Sequence, residues 1–95
     1  LARQMLHSDS YRAMTDRMVE VADALCGGRL AVIHEGGYSE AYVPFCGLAL
    51  LESLKGVRTE VVDPELDFFV PQQPDDRMLA FHFALIEEMR AAAGL

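Results

Sequence analysis

The 95-residue chain has no tryptophan, two cysteines, and only eight Lys and Arg residues against fifteen Asp and Glu. Each scarcity excludes something. A formal charge of -7 with no basic cluster argues against nucleic acid as a ligand of this segment, because backbone phosphates are neutralised by grouped Lys and Arg. Cys26 and Cys46 allow at most one disulfide; each sits in an apolar stretch and neither belongs to a metal-spaced pair, so free thiols in a reducing cytoplasm are expected. Long hydrophobic runs are missing too. The longest, Phe45 to Leu51, is interrupted by Cys46 and Gly47 and falls far short of the roughly 20 residues that a bilayer crossing needs. A soluble, cytoplasmic chain without a membrane partner is the expectation. There is no initiator methionine before Leu1 and no basic-then-apolar signal region, which predicts a processed chain or a fragment.

What is present in excess is apolar surface. Hydrophobic residues make up 52% of the chain, yet a single domain of this length buries only a little over ~60% of its unfolded surface. Several large apolar faces therefore need covering by neighbouring chain or by partner subunits, and a homo-oligomer formed through apolar helical faces is expected.

Helical periodicity dominates the pattern. After Ser8 and Ser10, which supply helix-start chemistry, Tyr11, Met14, Met18, Val21, Ala22 and Leu25 recur at helical spacing until Gly27 and Gly28. Leu30 to Ile33 is a short continuous apolar run between glycines and reads as a buried parallel strand. It leads into His34-Glu35-Gly36-Gly37-Tyr38, a turn at the carboxyl end of a strand, where open α/β sheets place their sites. A second helix is predicted from Ser39 or Glu40 to Leu54, with Pro44 near its first turn, Gly56 at its end and a middle apolar nearly all round, as in a helix buried between layers. Val57 to Val62 suggests a short extended piece. Pro64, Pro71 and Pro74 keep residues 63–73 irregular, as a connecting arm. Pro74 at the first helical position, followed by Asp75 and Asp76, opens a third helix that runs to about Ala93 with a stripe of Met78, Phe81, His82, Leu85 and Met89. Three helices and one clear strand do not make a sheet, so the pattern is that of a piece of a larger doubly wound α/β fold.

The segment Gly28-Arg29-Leu30-Ala31-Val32-Ile33-His34-Glu35-Gly36-Gly37-Tyr38 resembles the end of the deacetylase domain of the histone deacetylase superfamily, including the acetylpolyamine amidohydrolases. The Glu-Gly-Gly-Tyr turn is the specific part. The run from Tyr38 through Gly56 to Asp63-Pro64 is most similar to the bacterial class II type, the histone deacetylase-like amidohydrolases. The resemblance implies the C-terminal part of an arginase/deacetylase fold, with residues 1–62 belonging to the deacetylase domain and 63–95 to an arm and C-terminal helix. It implies an acetylated amine substrate, zinc-activated water and Tyr38 as the hydrogen-bond donor to the amide oxygen. Gly36 and Gly37 become the residues that shape the turn beside the substrate channel, and Glu35 an internal hydrogen-bonding group rather than an acid or base. The family holds its zinc with two aspartates and one histidine, and none of these is expected here. Leu1-Ala2-Arg3 looks like the stretch just after the second ligand aspartate, so no metal is expected in this chain and the segment alone is expected to be inert.

Each of these residues also has a blander reading. Without the family, Tyr38 reads as a packing residue beside a glycine turn, and His34 as a satisfied or partly exposed side chain, since zinc needs companion ligands. His7, Asp9 and His82 share no ligand spacing, and His82 sits on an apolar stripe. Cys46 within a buried helix lacks an activating partner. The Gly-Gly pair lacks the third glycine of a dinucleotide turn. Met14, Met18, Met78 and Met89 read as core. The competing function is a non-catalytic helical oligomerisation module.

Overall fold

Glycine ends the first two helices. The computed structural model describes residues 5–95, and in it α1 spans Ser8–Cys26 and stops at Gly27 with φ 62°. α2 spans Val43–Lys55 and stops at Gly56 with φ 65°. Both C-caps take the left-handed conformation that a Cβ penalises. α2 starts a turn later than the sequence suggests, and Pro44 occupies its first turn, where a missing N–H is harmless. The last helix, α4, spans Asp76–Ala92; its cap is Asp75, whose side chain accepts from the Met78 N–H at 2.9 Å, so Pro74 lies just outside it. The arm is less irregular than its prolines imply. It contains a four-residue helix, α3 (Leu66–Phe69), and a 3-10 turn at Val70–Gln72, both fitted between Pro64 and Pro74.

The expected strand is absent. Leu30 to Ile33 runs on from α1 without regular structure, no strand occurs among the described residues, and Ile33 is 87% exposed. A strand exists only as one rung of a hydrogen-bonded ladder, and the described residues bring no second extended backbone alongside it. Val57 to Val62 likewise forms no strand. Leu1-Ala2-Arg3 lies outside the described residues.

α1 and α2 pack on each other through small side chains. The buried positions are Ser8, Thr15 and Ala22 on α1, seven residues apart, and Cys46, Ala49, Glu52 and Ser53 on α2. The large apolar residues expected to form the core stay outside: Met14, Met18 and Leu25 on α1, Leu51 and Leu54 on α2 and the whole of α4, including Met78 and Met89, are exposed. The accessible surface of 7829 Å² exceeds the about 5,400 Å² of a compact monomer of this mass, and the radius of gyration of 15.6 Å exceeds the about 13 Å of a compact 100-residue domain. Size-matched small residues fix how closely the helices approach; burial of the large ones is left to whatever covers them.

A buried carboxylate locks the pair. Glu52, 4% exposed, pairs with Arg12 of α1 and accepts from the Thr59 N–H at 2.7 Å and from the Thr59 hydroxyl. Around it, Ser53 Oγ donates to the Arg12 carbonyl at 3.4 Å and Arg58 pairs with Asp16 at 3.1 Å. Hydrogen bonds from Thr59 and Arg12 hold the Glu52 carboxyl down at about 2, and Ser53 and Arg58 hold Asp16 below its ordinary value. A carboxyl depressed in the folded state contributes stability above its unfolded pKa and loses it as pH falls through the folded one. The melting temperature should therefore be flat above about pH 4.5 and fall as pH is lowered toward 2. Glu52→Gln should flatten that fall and lower the melting temperature at pH 7, whereas Arg17→Ala, which removes an exposed pair with Glu20, should do neither. An unchanged acid limb in Glu52→Gln refutes the assignment.

Candidate functional site

Residues 29–39 carry the chain from the end of α1 to the approach of α2. At the turn Gly36 has φ 75° and Gly37 φ 85°, a conformation that residues with a side chain rarely adopt. A Cβ on Gly37 would lie 2.9 Å from His34 Nε2 and 3.2 Å from a Val43 methyl, and one on Gly36 would lie 3.9 Å from the Tyr38 hydroxyl. The turn is thus shaped for glycine twice over, by backbone conformation and, at Gly37, by lack of room. Tyr38 projects from it 96% exposed. Glu35, expected to bond within the loop, is exposed instead; a loop lying on the surface of this chain encloses nothing for it to bond to.

The exit from the turn is anchored to α2. The Ser39 carbonyl accepts from the Val43 N–H at 3.1 Å and Ser39 Oγ from the Tyr42 N–H at 3.3 Å. Tyr42 in turn packs its ring on Phe69 of the arm, with centroids 4.9 Å apart. Burial pushes the Tyr42 phenol above its ordinary value, reinforced by its hydrogen bond with Cys46. Burial also raises the Cys46 thiol, which stays protonated and is no nucleophile.

Among the described residues no three His, Cys, Asp or Glu side chains come together as a ligand set. His34 faces Gly37, and His82 is exposed on α4 beside Phe81. The donor set of these residues does not fit a metal ion. A cavity of about 230 Å³ near the start of α1 is bordered by Ser8, Arg12, Phe45 and Asp63; buried Ser8 Oγ and Asp63 Oδ2 have no partner among the described residues, and the space admits water to bridge them. An apolar groove of about 290 Å³ lies between Met14, Met18 and Leu50 on one side and Leu30 to Ile33 on the other.

Sequence reasoning missed Tyr42, Val43 and Phe69 as supports of the turn, and Glu52 as the lock behind them. Glu52 did leave a signal: it is the one acidic residue inside α2, where a helix read as buried all round needs a partner for any charge it carries.

No protein-family model matches the chain. It is 56% identical, over all 95 residues, to a histone deacetylase-like amidohydrolase of Pseudomonas aeruginosa, of which it covers 25%. It is 31% identical over 74 residues, 78% of this chain, to histone deacetylase 8 of Arabidopsis thaliana, of which the match covers 19%. The chain spans a quarter or less of the length of these relatives.

Two glycine substitutions should move stability in opposite directions. Gly37→Ala forces a Cβ into the contact with His34 at a strained φ and should destabilise by about 1–3 kcal/mol. Gly47→Ala, in α2 with nothing within 4 Å of the new methyl, should stabilise by about 0.5–1 kcal/mol. Urea denaturation of both variants checks the pair.

Proposed function

This chain belongs to the histone deacetylase superfamily, and on that premise we propose that it serves as the C-terminal segment of a zinc-dependent amidohydrolase that removes N-acetyl groups from acetyl-lysine or acetylated polyamines. The observation that carries the reading is the Glu-Gly-Gly-Tyr turn, whose two left-handed glycines present the Tyr38 phenol outward, within a chain similar throughout its length to a histone deacetylase-like amidohydrolase. Family membership implies the arginase/deacetylase fold, to which residues 1–62 contribute the end of the catalytic domain and residues 63–95 an arm and a terminal helix.

In this reading Tyr38 is the oxyanion donor. Attack of water on an amide carbon places negative charge on the carbonyl oxygen, and a phenolic O–H held in place donates to that oxygen more strongly as the charge grows. Gly36 and Gly37 bring the backbone close to the substrate without occupying the channel. Zinc would supply the Lewis acid that activates water; among the described residues no three ligand-type side chains come together to hold it. A lone tyrosine without metal or general base leaves the barrier of amide hydrolysis almost untouched, so the segment by itself is inactive.

One observation favours a second reading, a non-catalytic helical oligomerisation module. α4 has no buried residue and bares Phe81, Phe83, Leu85, Ile86 and Met89. Light scattering of the isolated chain on a sizing column separates the readings, because a tight, well-folded oligomer favours the module.

The direct test is a chimera in which residues 1–95 replace the matching quarter of the Pseudomonas protein. It should hydrolyse an acetyl-lysine peptide, and Tyr38→Phe should lower kcat roughly 100- to 1000-fold. The 95-residue chain alone should show no hydrolysis with or without added zinc, and robust activity there would overturn the proposal.

A further inference from the structure

We infer that His34 is a positioning residue for Tyr38: its imidazole packs on Gly37 and holds the turn in the conformation that presents the phenol. The inference rests on the reading of Tyr38 as the oxyanion donor. Such a donor works only when held within about 0.5 Å of its productive place. Tyr38 is 96% exposed, so what this chain controls is the backbone that leads into it. That backbone is Gly36-Gly37, the residue type with the widest conformational freedom, and something outside the glycines has to restrict it.

Two side chains meet at the point where a Gly37 Cβ would be. His34 Nε2 reaches to 2.9 Å of it from the near side of the turn, and the Val43 methyls reach to 3.2 and 3.4 Å from the start of α2. Val43 is itself fixed through the Ser39 carbonyl and by the packing of its neighbour Tyr42 on Phe69. His34 and the anchored Val43 therefore close off the same side of Gly37 together, and this limits how the glycine backbone can turn. A flat ring can lie on a residue that has no side chain, and the contact needs no ionised or metal-bound imidazole.

The chimera tests this beside Tyr38→Phe. His34→Ala should lower kcat about tenfold, below the roughly 100-fold that a 1 Å misplacement can cause, with KM changed less than about twofold. His34→Phe, which keeps a flat ring without nitrogen, should restore most of the rate. Gly37→Ala should be less harmful in the His34→Ala background, where its new methyl meets Val43 alone. A large Tyr38→Phe loss with unaltered kcat in His34→Ala sinks the inference while leaving the function standing; no Tyr38→Phe loss sinks the function itself. In that second case ¹⁵N relaxation of these residues within the folded chimera still decides the contact. The Gly37 and Tyr38 amides should lose order in His34→Ala and regain it in His34→Phe, and unchanged order in both variants overturns the inference.

Discussion

Everything ordered around the turn depends on one buried negative charge. Glu52 sits in the α1–α2 contact with its guanidinium partner on α1 and its hydroxyl and amide partners on the segment that leaves α2. An isolated carboxylate in that position would be expelled or neutralised; with Arg12 and Thr59 around it, it joins three stretches of chain that are separate in sequence. The joint fixes the axis of α2 against α1. Since Val43 and Tyr42 stand at the other end of α2, the joint also fixes the surface against which the glycine turn rests.

The interior of this chain reverses the usual allocation of residue sizes. Serine, threonine, alanine and cysteine are inside, together with the Glu52 carboxylate, while Met14, Met18, Met89, Phe81, Phe83 and Ile86 are exposed. Small residues let two helix backbones approach closely, but they remove little apolar area from water and supply little of the driving force for folding. Polar specificity without much hydrophobic driving force suits a layer inside a larger protein better than a free-standing domain, and it agrees with a chain that covers a quarter of its amidohydrolase relative.

How legible this is in the sequence varies with the range of the forces involved. Helix ends set by local conformation are readable: Gly27 and Gly56 stop α1 and α2 where the pattern places the stops, and Asp75 with Asp76 starts α4 within two residues. Leu30 to Ile33 misleads because a strand depends on neighbours, and apolar composition says nothing about whether those neighbours are in the same chain. The methionine stripes mislead as core for the same reason. The turn is readable as a place where glycine is required, but the role of Tyr38 comes only from family resemblance; nothing in its spacing separates a donor from an exposed ring. Tyr42 and Phe69 escape a sequence reading, and Glu52 signals only that it needs a partner and not which one, because their partners include residues tens of positions away and periodicity sees only the next turn of helix.

The side-chain amide of Gln73, placed just before α4, donates to the Met5 carbonyl at 2.7 Å and to the Phe69 carbonyl at 3.1 Å. One residue thereby clasps the lead into α1 to the end of the arm and closes most of the chain into a ring. α4 leaves that ring at the point where the lead into α1 is clasped. A pull on the terminal helix would therefore divide at Gln73, one branch reaching the root of α1 through the Met5 carbonyl and the other reaching the support of the glycine turn through Phe69 and Tyr42.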